Sequence, residues 1–130
     1  MVKIHFWQDK ENNSLHMKVK GHANAAPKGE DLVCASATML VYTVAQAMTF
    51  YHEQGYLQEK PKIKIMEGKA SIHVLPKEEY HAEALHTFWV AQCGAHLLAK
   101  NWGFWLSTFR SRLGYSAFAC SACCSQMAYC

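Results

Sequence analysis

A chain of 130 residues that is 51% hydrophobic and 18% charged is long enough to bury a core and too apolar to be disordered. Its net charge of +3 permits contact with an acidic partner but does not by itself argue for nucleic-acid binding. Two of the six cysteines, Cys34 and Cys93, lie in the body and the other four crowd after residue 119, which excludes a disulfide scaffold and points to a reduced, cytosolic domain.

Val2, Ile4 and Phe6 alternate with Lys3, His5 and Trp7, the pattern of a half-buried strand and not of a secretory leader. Asp9 to Ser14 is rich in turn formers. Leu15, Met17 and Val19 then alternate with His16, Lys18 and Lys20, so the two runs form an antiparallel hairpin. Gly21 to Glu30 is a loop of small residues with Pro27 inside and no large apolar anchor. It suits a mobile, substrate-gating segment, with Ala23, Asn24, Pro27 and Gly29 as its candidate residues.

Asp31 is a good helix N-cap. Val33, Ala37, Leu40, Val41, Val44, Ala47, Met48 and Tyr51 follow at helical spacing, and Gly55 ends the helix as its C′ residue. Ile63 and Ile65 alternate with lysines, Glu67-Gly68-Lys69 turns the chain, and Ala70, Ile72 and Val74 make the fourth strand. Glu78 and Glu79 place negative charge at the start of a second helix, expected from about Lys77 to Ala99. The apolar region around Phe88 to Phe109 is interrupted by His96, Lys100 and Asn101, so no membrane span is expected. The order β-β-α-β-β-α predicts an α+β domain, a mainly antiparallel sheet layered with two long helices. It divides as 1–106 for the domain and 107–130 for an atypical Cys-rich C-terminal tail. The tail cysteines are adjacent or at one end, with no second pair elsewhere, so no metal site is expected.

Two side chains suited to nucleophilic catalysis flank the small-residue loop. Cysteine attacks as the thiolate, which a helix start favours. With Asp31 as N-cap, Cys34 is the third helical residue, beside backbone N–H groups able to hold an oxyanion. His22, at the strand end, reaches the sulfur if the loop folds back, and then serves as general base and acid. Asp31 either orients the histidine or only caps the helix. Lys3, Lys18, Lys20, Lys62 and Lys64 form one basic sheet face if their strands point the same way.

The run Gly21-His22-Ala23, then Gly29-Glu30-Asp31-Leu32-Val33-Cys34-Ala35, resembles the signature of the ribosomal-processing cysteine protease family (Prp). The resemblance covers about residues 1–105. It implies a cytoplasmic, homodimeric endopeptidase that needs no metal or cofactor. Its implied substrate is large-subunit ribosomal protein twenty-seven carrying an N-terminal extension, with no membrane and no required nucleic-acid contact. By position, His22 becomes the base, Cys34 the nucleophile, and Asp31 falls on the family's acidic position. The family usually has serine four residues after the cysteine, where this chain has Thr38, and its members usually end soon after the second helix. The rival reading is a non-catalytic, ribosome-associated binding module that uses the lysine face.

Overall fold

A computed structural model describes residues 2–21, 32–102 and 105–107. The expected gating loop, His22, Asp31 and the Cys-rich part of the tail lie outside these described residues.

Two strands, β1 (Lys3–Gln8) and β2 (Leu15–Lys20), form the expected antiparallel hairpin, with Ile4 opposite Val19 and Phe6 opposite Met17. Local side-chain bonds shape its turn. Asp9 Oδ1 accepts from the Glu11 N–H at 3.0 Å, and Asn12 Oδ1 accepts from the Ser14 N–H at 3.0 Å. The first helix, α1, spans Leu32–Glu53. Strands β3 (Lys62–Met66) and β4 (Lys69–Val74) form a second hairpin, and β4 pairs antiparallel with β2.

The second helix differs from expectation at its start. A single 3-10 turn covers Glu78–Tyr80, and the α-helix proper, α2, runs His81–Trp102. Its end therefore lies beyond Ala99. The sheet also has a fifth strand that hydrophobic alternation did not reveal. This strand, β5 (Trp105–Ser107), pairs parallel with β1, and the sheet order is β3-β4-β2-β1-β5.

One face of the sheet meets both helices. Ile4, Phe6, Leu15, Met17, Ile72 and Val74 are buried with Ala37, Val41, Val44 and Met48 of α1 and Ala84, Phe88, Ala91 and Ala95 of α2. Phe88 packs edge-on to Phe6, ring centroids 6.4 Å apart. Truncating so buried a ring to alanine removes about 3–5 kcal/mol. Gly94 lets the helices approach closely, since a Cβ there would lie 3.2 Å from Leu40 Cδ1.

The C-terminal end of α1 carries the expected cap. Gly55 has φ +77°, its N–H donates to the His52 carbonyl at 3.0 Å, and the Tyr56 N–H donates to the Tyr51 carbonyl at 2.9 Å. These bonds form a Schellman motif, which satisfies carbonyls that the helix itself leaves over.

The opposite sheet face carries the polar half of the alternation. Lys3 sits opposite Lys20, and Lys20 opposite Lys69. Lys18 sits opposite Ser71, which sits opposite Lys64. Because strand side chains alternate, the five lysines named from the sequence share this face, and Lys69 joins them.

Candidate active site

Strand β2 ends where the Gly21 N–H donates to the Gly68 carbonyl at 2.9 Å. Gly21 holds φ +101°, a backbone conformation that L side chains rarely adopt. The chain is thus turned at the residue before His22 and fixed to the β3–β4 turn. Ten residues, 22–31, lie outside the described structure, and α1 begins at Leu32.

Cys34 is the third residue of α1, the helix position expected from the sequence. It is half-buried and packs against the edge of the core, whereas Cys93 on α2 is exposed. A helix start presents backbone N–H groups and the positive end of the macrodipole. A sulfur in this turn is therefore beside groups that stabilise negative charge. The nearby hydroxyls do not supply a base. Ser36 Oγ donates to the Leu32 carbonyl at 2.7 Å, and Thr38 Oγ1 donates to the Cys34 carbonyl at 2.7 Å. Both turn back onto the helix one turn earlier. Thr38 is thereby tied to the backbone of Cys34.

Of the residues singled out from the sequence, the described structure holds Cys34 and Thr38 and brings them together through that bond. His22, Ala23, Asn24, Pro27, Gly29 and Asp31 lie outside the described residues.

A second constellation was not evident from the sequence. Ser14 Oγ lies 2.9 Å from His16 Nε2, His16 Nδ1 lies 3.2 Å from His73 Nδ1, and His73 Nε2 lies 3.8 Å from Glu59 Oε1. With both rings neutral, one proton arrangement satisfies the row: Ser14 donates to His16, His16 to His73, and His73 faces Glu59. It has the outline of a serine–histidine relay. Ser14, however, is 0% exposed, so no substrate carbonyl can reach its oxygen. The row is structural. Trp7 stacks on His16, centroids 4.7 Å apart and planes 6° from parallel. Burial lowers the His16 pKa, the neighbouring His73 lowers it further, and Asp9 opposes the shift. The signal that could have found the row is the β2–β4 register, which sets His16 opposite His73.

Among the described residues, no group of three His, Cys, Asp or Glu side chains could hold a metal ion, and no helix is long and apolar enough to cross a membrane.

A family model described as cysteine protease Prp matches residues 1–93. Among solved structures, a ribosomal processing protease Prp from S. aureus with a covalently linked product peptide superposes with a TM-score of 0.60 at 17% identity. That match covers 85% of this chain and 100% of the other. The same S. aureus protease with a substrate peptide gives 0.56 at 16% identity, covering 85% and 100%. SMU.848 from Streptococcus mutans gives 0.58 at 18% identity, covering 84% and 93%. No curated protein matches the chain.

Proposed function

The chain belongs to the cysteine protease Prp family, and from that premise we propose that Cys34 and His22 form the dyad of an endopeptidase that trims a ribosomal protein. The substrate is large-subunit ribosomal protein twenty-seven with an N-terminal extension, and the enzyme acts in the cytoplasm as a homodimer. The observation that carries the assignment is Cys34, half-buried in the first turn of α1. The S. aureus protease of similar fold is described as a ribosomal processing protease and carries a covalently linked product peptide. That supports both the substrate class and covalent catalysis.

The mechanism follows from the helix start. The Cys34 thiolate attacks the scissile carbonyl carbon, and the carbonyl oxygen takes the negative charge. Backbone N–H groups at the start of α1 hold that oxyanion. Collapse breaks the C–N bond, His22 gives its proton to the leaving amine, and a thioester remains on Cys34. Water, deprotonated by His22, then attacks the thioester and releases the acid and the thiolate. Asp31 orients His22 or caps α1. The loop 23–30, with Ala23, Asn24, Pro27 and Gly29, opens for the peptide and closes to align the pair. Residues 1–106 form the protease domain, and 107–130 form an appended tail.

The lysine face no longer stands as a rival to catalysis, because the chain is a cysteine-type peptidase. Incubation with the N-terminally extended ribosomal protein, followed by mass spectrometry, tests the proposal. We expect one cleavage that removes the extension and none with Cys34→Ala. Full cleavage by Cys34→Ala would overturn the dyad, and an intact substrate with the wild-type enzyme would overturn the substrate.

A further inference from the structure

The sheet face turned away from the helices is far more basic than the net charge of +3 suggests. Lys3, Lys18, Lys20, Lys62, Lys64 and Lys69 share it, and each is exposed. Strands β1 to β4 contain no acidic residue. Among the described residues, the acids near this face lie at its rim: Asp9 and Glu11 in the β1–β2 turn, Glu67 in the β3–β4 turn, and Glu59 beside β3. Glu59 pairs with Lys62 at 2.9 Å, so Lys62 is partly neutralised and the remaining five lysines carry the field. They spread over four neighbouring strands, a platform about 15 Å wide. Like charges gathered so closely repel one another, and a polymeric anion relieves that repulsion along its whole length.

We propose that this face docks the phosphodiester backbone of RNA. The choice of RNA over another polyphosphate rests on the ribosomal substrate proposed above, while the charge argument does not. The composition separates this face from a lipid-binding one, which needs large apolar side chains between its cations to enter the acyl boundary. Trp7 is stacked on His16 and Met66 stands at a corner. Among the described residues, the other large exposed apolar groups, such as Met39, Tyr42 and Phe50 on α1 and Trp89 and Val90 on α2, lie on the helices. Lysine recognises phosphate as a point charge, so the contact is independent of base sequence and sensitive to salt. Docking here leaves the start of α1 outside the contact, because the helices cover the other sheet face.

The test is fluorescence anisotropy with the full chain and a labelled single-stranded RNA of about 20 nucleotides, titrated at several salt concentrations. Three proteins are compared: wild type, the face variant Lys18→Gln/Lys64→Gln, and the charge-matched variant Lys77→Gln/Lys100→Gln. Wild type is expected to bind with Kd on the order of 10 μM near 0.1 M salt. The face variant is expected to bind at least about tenfold more weakly, and its log–log salt slope to be shallower by about 1.4, the effect of two lost phosphate contacts on a single strand. The charge-matched variant is expected to keep the wild-type slope. Peptide cleavage by each protein checks that it is folded. Equal weakening in the two variants would overturn the proposal. So would tighter wild-type binding to the matching DNA, to phosphatidylserine vesicles or to polyglutamate, or no RNA binding at low salt.

Discussion

The two ends of α1 are built in opposite ways. At its C-terminus, Gly55 and Tyr56 close a Schellman cap. Tyr51 reaches Thr87 on α2 with its hydroxyl at 3.1 Å, and its ring meets Tyr56, which in turn stacks on Tyr80 at 4.1 Å. The connector is also bridged to the chain ahead of α2, where the Gln58 N–H donates to the Leu75 carbonyl and the Lys77 N–H to the Tyr56 carbonyl. At the N-terminal end, the first turn holds an exposed Leu32 and a half-buried Cys34, with no acidic side chain among its residues. One end is tied down by backbone and side-chain bonds, and the other carries a half-buried thiol.

That contrast can be broken at either end. The largest expected effect is at the N-terminal end: Cys34→Ala should lower cleavage by at least ~10³-fold, with thermal unfolding almost unchanged because the site is only half-buried. Activity assays beside calorimetry check both halves. At the other end the pattern should reverse. Gly55→Ala forces a side chain into φ +77° in open space, so it should cost about 1–2 kcal/mol of stability by chemical denaturation while kcat/KM holds. Tyr51→Phe removes the bond to Thr87 and should cost about 1 kcal/mol, again without a change in cleavage.

A smaller change would sharpen the comparison. Thr38→Val deletes the bond to the Cys34 carbonyl and should slow cleavage by at most about 10-fold, the worth of one net hydrogen bond, with Thr38→Ser restoring the rate. The smallest effect lies away from both ends. His16 has a folded pKa below its ordinary value of about 6.5, so between the two values the unfolded chain binds more protons. Stability should therefore fall as pH drops through and below about 6.5. Melting curves from neutral to acidic pH should show this drop in wild type and a flatter profile in His16→Gln.

Local pattern accounts for most of the sheet and both helices. Alternation in Lys3–Gln8 and Leu15–Lys20, the lysine–isoleucine alternation from Lys62 to Ile65, and Gly55 after a long apolar stripe each state their structure within a few residues. The 3-10 turn at Glu78–Tyr80 was hidden, because acidic residues suit the first turn of either helix type. Strand β5 was hidden because three residues are too few to show a period, and its pairing depends on β1, a hundred residues away. The His16–His73 contact also depends on register between distant strands. At the candidate site, the helix position of Cys34 was legible from the residues leading into α1, whereas the hydroxyl direction of Thr38 depended on which backbone carbonyl it found.

The lysines of β3 have a second consequence. Among the described residues β3 is an outer strand of the sheet, with only β4 beside it. An outer strand presents unpaired backbone groups that invite another chain to add on, the first step toward aggregation. Lys62 and Lys64 place charge along that strand, and Pro61, which lacks an N–H, stands just before it. Two copies meeting there edge to edge would bring like charges together. The same residues would then keep the protein dispersed at high concentration, so neutralising Lys64 should lower the concentration at which it precipitates.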